Sequence, residues 1–498
     1  MFKKLISLSL SLCTVFLLLS ACNNKSDVAT DSANTTNPAG SQEISSQPTE
    51  TTDAFTEPAV PDNLKFSGVK FTFLMNANPY WEGRSDIYAE ELTGEPLNDA
   101  IYNRNKQVEA KFGIEIGQIA EYGNKSNGTG PAYQRITKDV NAGDNTYDAA
   151  IICGYEASTL AYNGFLQNLK IVPYMNLDNV WWDQRANKDL SINNKLYMTT
   201  GDISWLINDA SYGILFNKKL ASDYQMPNFY DLVKNNKWTI DKWAELTKLV
   251  SKDLNGDSKM DKNDLFGSVI WDDSVMGIVN SAGAKCATVS PQGDIELTLN
   301  TPNVISALEK YLTAAEDKNT CFAYQRSDVS GSDFFANNQA LFYIQLIEEA
   351  GRLRGMETDF GILPYPKLDE NQEGYPSSIT PFSSIFFVIP QKVANLEMSG
   401  AVAEDMAYWS KKLVRPAYYD ITLKVKGTRD EESVEMLDII LANRVFDLGW
   451  YYNIGGFTDG LLNLFRNYKT DFVSMYDKNE AKAMDKLKTI NDAYKSIE

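Results

Sequence analysis

Between residues 68 and 153 the hydrophobic period of the chain keeps changing, and that pattern restricts the possible folds more than any other feature. Gly68-Val69-Lys70-Phe71-Thr72-Phe73-Leu74-Met75 reads as a strand. From Leu97 to Phe112 the apolar residues Leu97, Ala100, Ile101, Val108, Ala110 and Phe112 recur at helical spacing, and Gly113 stops the run. Ile114-Glu115-Ile116 is the next predicted strand, 133–142 a short helix, and Tyr147-Asp148-Ala149-Ala150-Ile151-Ile152-Cys153 a buried strand. Strand–helix–strand units of this kind require parallel sheets covered by helices on both faces, an α/β fold. Further helices are predicted over 302–315 and 400–413, and another opens at Trp238–Trp243 with Thr239 as its N-cap.

The N-terminus sets the compartment. Met1-Phe2-Lys3-Lys4 is a short basic start, followed by an apolar run too short for a membrane span and then by Leu19-Ser20-Ala21-Cys22. The last four residues resemble the bacterial lipobox. That implies a signal peptide over 1–21 and a diacylglyceryl group on Cys22. From Cys22 to residue 62 the chain is rich in Ser, Thr, Asn, Ala and Pro, which buries too little apolar surface to order itself and predicts a flexible tether. A protein held on the outer face of a cell membrane follows, with no transmembrane helix beyond it.

About 435 residues remain, enough for two lobes with their own cores. The formal charge of -19 includes Lys3 and Lys4, so loss of the signal leaves about -21, which argues against a nucleic-acid partner. There is no histidine, which removes Ser-His-Asp and Cys-His nucleophiles and any zinc site built on imidazole. Cys153, Cys286 and Cys321 stay in the fold without a C-x-x-C pair. Cys286 and Cys321 either form a disulfide or stand as buried thiols.

Several segments resemble the family 1 extracellular solute-binding proteins of bacterial ABC importers, the group that includes maltose-binding protein. They are Asp86-Ile87-Tyr88-Ala89-Glu90-Glu91 with Leu97-Asn98-Asp99-Ala100-Ile101-Tyr102-Asn103-Arg104-Asn105, Tyr147 to Ile152, Leu196-Tyr197 with Gly201-Asp202-Ile203, and Gly213 to Leu220. Phe334-Phe335 with Gln339-Ala340-Leu341-Phe342, then Asp359-Phe360-Gly361-Ile362-Leu363-Pro364-Tyr365-Pro366, continue the series. The resemblance implies a two-lobed periplasmic-binding-protein type II fold with a ligand cleft and several inter-lobe crossings. Mapped by motif, lobe 1 covers 64–205 and 345–415, and lobe 2 covers 206–344 and 416–498. It further implies a monomer that captures a solute, an oligosaccharide first among the options, and delivers it to ABC permease subunits of a Gram-positive bacterium.

Sugar sites stack aromatic rings on pyranose faces and fix hydroxyls with carboxylates and amides. With 26 Tyr and nine Trp the chain has ample rings, so position must select among them. The candidates follow strands or stand near crossings. They are Asn78, Tyr80 and Trp81; Tyr155 and Glu156; Asp202 and Trp205; Trp271 and Asp272; Gln345 and Glu348; and Trp450, Tyr451 and Asn453. Trp450 falls roughly where maltose-binding relatives place a late stacking Trp. The pair Trp181-Trp182 reads as packing in a loop between lobes, and Trp238 and Trp243 as core.

Asp253-Leu254-Asn255-Gly256-Asp257-Ser258-Lys259-Met260-Asp261-Lys262-Asn263-Asp264 spaces oxygen donors as a calcium loop does. Its ligands would be Asp253, Asn255, Asp257, Asp261 and Asp264 with the Lys259 carbonyl, holding a structural Ca2+. Ser258 stands where the turn usually has Gly, and Asp264 is shorter than the usual Glu. Two carboxylates would suffice for glycoside hydrolysis, but 66 acidic residues make chance pairs inevitable. No nucleophile elbow or phosphate loop occurs in a strand–turn–helix context. A binding protein rather than an enzyme is expected, with a glycan-binding adhesin or sensor as the alternative.

Overall fold

Hydrogen bonding gathers the strands into two main sheets, one per lobe, and the chain passes between them at a narrow bundle of short strands. The computed structural model describes residues 56–77, 85–424 and 431–497. The expected signal, Cys22 and most of the tether lie outside the described residues. In chain order the strands are β1 (Lys70–Ala77), β2 (Glu115–Tyr122), β3 (Ala149–Cys153), β4 (Tyr212–Asn217), β5 (Phe266–Ile270), β6 (Ala287–Val289) and β7 (Ile295–Leu297). They continue as β8 (Cys321–Ala323), β9 (Ala340–Leu346), β10 (Phe360–Leu363), β11 (Ser377–Ser378), β12 (Ile385–Val388) and β13 (Arg444–Val445).

The first sheet has the order β12-β3-β1-β2, with β1 parallel to both β2 and β3 and β12 antiparallel to β3. Each strand alternates its apolar residues between two cores. Phe71, Phe73, Met75, Ile151 and Phe387 enter the core beneath α1 (Pro96–Phe112) and the helix Leu396–Trp409, whereas Leu74, Ile152 and Phe386 enter the core on the other face. Helix α1 shows why the sequence stops where it does. Glu95 accepts the Asn98 N–H, Pro96 sits in the first turn, and Gly113 closes the helix at φ 69°. On the opposite face lie α2 (Pro131–Ala142) and α3 (Gly154–Tyr162).

The second sheet has the order β10-β4-β9-β5-β8. Strand β5 runs parallel to β8 and β9, and β4 is antiparallel to β9 and β10. The predicted helix over 302–315 forms as Pro302–Ala315, and Thr239 caps its helix through the Lys242 N–H. Trp238 and Trp243 are fully buried in the core of this lobe.

The crossings need correction. Strand β10 hydrogen-bonds to the free edge of β4, so the chain stays in lobe 2 well past 345. It returns at 377–380, where Ser211 bridges to Ile379 and the Thr380 N–H donates to Ala210 O. The helix Arg415–Lys424 packs on α1 and the helix Glu431–Ala442 packs on β10, so the two belong to different lobes. Strand β13 runs beside β11, completing the bundle.

Two smaller readings also change. Trp181 and Trp182 do not pack between lobes. Both are buried in lobe 1, where their indole N–H groups donate to Glu404 at 3.1 and 2.8 Å. Cys286 and Cys321 are not bonded to each other; both are free and buried, as is Cys153. Among the described residues no helix is long and apolar enough to cross a membrane.

Candidate functional site

In α/β sheets ligands collect beyond the C-terminal ends of the strands. Strand β3 ends at Cys153 and α3 begins at once, which puts Tyr155 at the sheet edge. Gly154 makes this abrupt start possible, since a Cβ there would lie 2.6 Å from Ser384 Oγ and 2.8 Å from the Tyr451 ring. In lobe 2, β5 ends at Ile270 and is followed by Trp271, Asp272 and Asp273, then by the helix Ser274–Ser281. Because β4 is antiparallel to β9 and β9 parallel to β5, Tyr212 at the start of β4 reaches the same end of the sheet.

These residues form one cluster. The Trp271 ring stacks on Tyr212 at 6.0 Å and 20°, and Tyr365 meets Tyr212 edge-on at 5.6 Å. Asp272 Oδ2 accepts from Arg466 Nε at 2.6 Å, and its backbone N–H donates to Gln325 Oε1. Burial raises the Asp273 carboxyl to about 6, with Arg466 opposing and Asp272 adding to the shift. The Asp273 charge reaches across to Tyr155 of lobe 1, as well as to Tyr212, Tyr324 and Tyr365, and adds to the burial that raises those phenols. Tyr155 is only 5 % exposed, with Thr458 as its hydrogen-bond partner.

One polar group of the cluster is left unanswered: the Tyr365 hydroxyl is buried and makes no hydrogen bond. The others have partners, Tyr451 in Ser384, Thr458 in Tyr155, and Asp272 Oδ1 in Arg326 at 3.9 Å. An unanswered buried group is costly, at about 1–3 kcal/mol. Aromatic faces, carboxylate acceptors and hydroxyls in one seam suit a neutral, hydroxyl-rich solute.

The expected site residues divide. Tyr155, Trp271 and Asp272 join the cluster. Gln345, at the end of β9, donates to the Tyr324 hydroxyl at 2.8 Å, and Tyr451 packs edge-on against Phe386 of lobe 1. Glu156 turns away. It is fully buried, its Oε2 accepts the Tyr133 N–H in the first turn of α2 at 2.8 Å, and burial lifts its carboxyl to about 7. Trp450 is 1 % exposed, with its indole N–H 3.2 Å from Asn280 Oδ1. Glu348 pairs with Arg352 at 3.4 Å, and Asn453 holds a left-handed turn at φ 46°.

Asp202 and Trp205 instead line a cavity of about 80 Å³ with Asp183, Arg415 and Arg444. Asn78, Tyr80 and Trp81 lie outside the described residues. Sequence reasoning missed Tyr212, Asp273 and Tyr365, although Tyr212 directly precedes one recognisable motif, Asp273 follows Trp271-Asp272, and Tyr365 lies inside another motif.

The acidic loop lies at the N-terminal end of β5, the far end of the sheet from Trp271. Asp253 accepts the Gly256 and Ser258 N–H groups, Asp257 that of Lys259, and Asp264 those of Leu254 and Asp261. Ser258 takes φ 64°, the left-handed turn that this position of such a loop needs. Among the described residues, however, no three Cys, Asp or Glu side chains gather as a metal-ligating group.

No family model and no curated protein matches the chain. Solved structures do. The ABC substrate-binding protein Lmo0181 from Listeria monocytogenes, in complex with cycloalternan, matches at 13 % identity over 86 % of this chain and 99 % of that one, with a TM-score of 0.52. A cyclo/maltodextrin-binding protein complexed with maltotetraose matches at 14 % identity over 86 % and 98 %, with a TM-score of 0.54. M. tuberculosis UspC matches at 12 % identity over 84 % and 100 %, with a TM-score of 0.55. At such identities the likeness is one of fold: the chain has the two-lobed architecture of periplasmic-binding-protein-like solute-binding proteins.

Proposed function

We propose that this chain captures a neutral oligosaccharide between its lobes and delivers it to the permease of an ABC importer. The observation that carries the proposal is that Asp273 of lobe 2 lies near enough to act on both Tyr155 of lobe 1 and Tyr212, on which Trp271 stacks. The fold likeness and the sugars named with the matched structures support it. The lipobox-like Leu19-Ser20-Ala21-Cys22 places the protein, in this reading, as a monomeric lipoprotein on the outer face of a Gram-positive membrane. The chain binds its ligand without catalysis. A screen of the full chain against a panel of neutral glycans by thermal shift tests the proposal, since a ligand selective for the folded state raises Tm by mass action. A shift with one class of glycan supports it, and a shift with peptides alone overturns it.

A structural calcium ion in the Asp253–Asp264 loop belongs to the same proposal. The left-handed Ser258 and the spacing of oxygen donors support it. Chelation is expected to lower Tm, and an unchanged Tm removes the ion from the account.

A further inference from the structure

Between α3 and β4 the chain makes an excursion that belongs to lobe 1, since Thr199 bridges to Phe387 of β12. Part of it, residues 183–197, reaches the crossing bundle and lobe 2 through a series of contacts, and the Asp183 and Asp189 charges also act on the Tyr451 phenol. Asp183 caps the helix α4 (Gln184–Asp189) through the Arg185 and Ala186 N–H groups, and its other oxygen accepts from Arg444 Nη2 at 2.6 Å. Arg444 stands in β13 and also donates to Asn208 Oδ1 at 2.6 Å, where the chain is about to enter β4. At the other end of α4, Asp189 pairs with Lys285 of lobe 2 at 2.6 Å, the two side chains being 17 % and 26 % exposed.

Beyond α4 the Asn193 N–H donates to Gly293 O in the β6–β7 turn. Lys195 then donates to the Tyr494 carbonyl at 2.9 Å and to that of Ile497, at the C-terminus of the helix Phe472–Ser496. A cation there is favoured by the helix dipole as well as by the free carbonyls. Tyr197 completes the row by meeting the Tyr494 ring edge-on at 5.4 Å.

All of these contacts coexist with the arrangement that buries Tyr155 against lobe 2. A set of contacts made in one lobe arrangement and lost in another biases the equilibrium by its differential free energy. We infer that residues 183–197 form an electrostatic strap, with Asp183–Arg444 and Asp189–Lys285 as its two clasps, that favours the arrangement in which the cleft walls meet. Ligand affinity is thereby set in part by residues that never touch the ligand. The ion pairs are half-buried, so salt screens them incompletely but measurably.

The strap is tested without any ligand, which separates its failure from that of the proposed function. Hydrogen exchange is followed in the full chain and in the Arg444→Gln/Lys285→Gln double variant, comparing peptides from 183–197, from α3 and from β1. The strap predicts several-fold faster exchange in both 183–197 and α3, with β1 unchanged. Faster exchange in 183–197 alone makes the arm a local surface contact and overturns the inference. Should the double variant lose protection in β1 as well, the wild-type protein decides. Raising salt from about 0.01 M to about 1 M shortens the screening length from about 30 Å to about 3 Å. That change is expected to speed exchange in α3, and an α3 indifferent to salt contradicts the strap.

Discussion

Lobe 1 beneath α1 and the seam between the lobes are both rich in buried aromatics, yet Glu404 in the first and Tyr365 in the second are answered very differently. Under α1, Glu404 is fully buried and answered completely. One oxygen accepts from the Asn179 amide and the Trp181 indole, and the other from the Trp182 indole and the Asn176 N–H. Asp86 in the same lobe accepts from Ser204 and Leu206, with Arg104 buried near it. In the seam, the Tyr365 hydroxyl has no hydrogen-bond partner, and one oxygen of Asp272 lies 3.9 Å from Arg326. An unanswered group subtracts from a small net stability, a cost that Glu404 does not incur and Tyr365 does.

Substitutions sharpen that contrast. Phe387→Ala, in the fully buried face of β12 beneath α1, is expected to cost about 3–5 kcal/mol of stability, read from denaturant unfolding. Tyr365→Phe, in the seam, removes a hydroxyl that bonds to nothing. Stability is expected to hold or rise by up to about 1–3 kcal/mol, while affinity for a bound glycan falls. A loss of stability comparable to that of Phe387→Ala would make Tyr365 an ordinary core residue and erase the contrast.

A further effect is one of pH. Burial raises Glu156 from 4.5 to about 7, so the folded protein holds a proton that the unfolded chain releases. Its contribution to stability is present below pH 4.5 and is lost as pH rises through 7. Glu156→Gln is therefore expected to flatten the decline between pH 4.5 and 7 relative to wild type. An unchanged slope would show that this carboxyl ionises as easily in the fold as outside it.

Much of the fold was legible because its signals are local. Gly113 ends α1 and Thr239 caps its helix as their chemistry demands, and the helix Pro302–Ala315 appears at the residues its pattern marks. The lobe boundary was not legible, because the decisive event is a pairing between β10 and β4, strands far apart in sequence. The site was half legible. Position after a strand located Tyr155 and Trp271, but residue type could not separate Trp271, half-buried and stacked on Tyr212, from Trp450, sealed in the interior. Nor does sequence show that Glu156 faces the α2 terminus rather than the seam, since that depends on how α2 and α3 pack.

The most direct test of the central claim is calorimetric titration of the full chain and of Trp271→Ala with neutral oligosaccharides, maltotetraose among them. The seam predicts an oligosaccharide whose affinity falls by about 1–3 kcal/mol on loss of the ring, roughly 5- to 150-fold. An oligosaccharide that binds both proteins equally well would place the ligand somewhere other than between Tyr155 and Trp271.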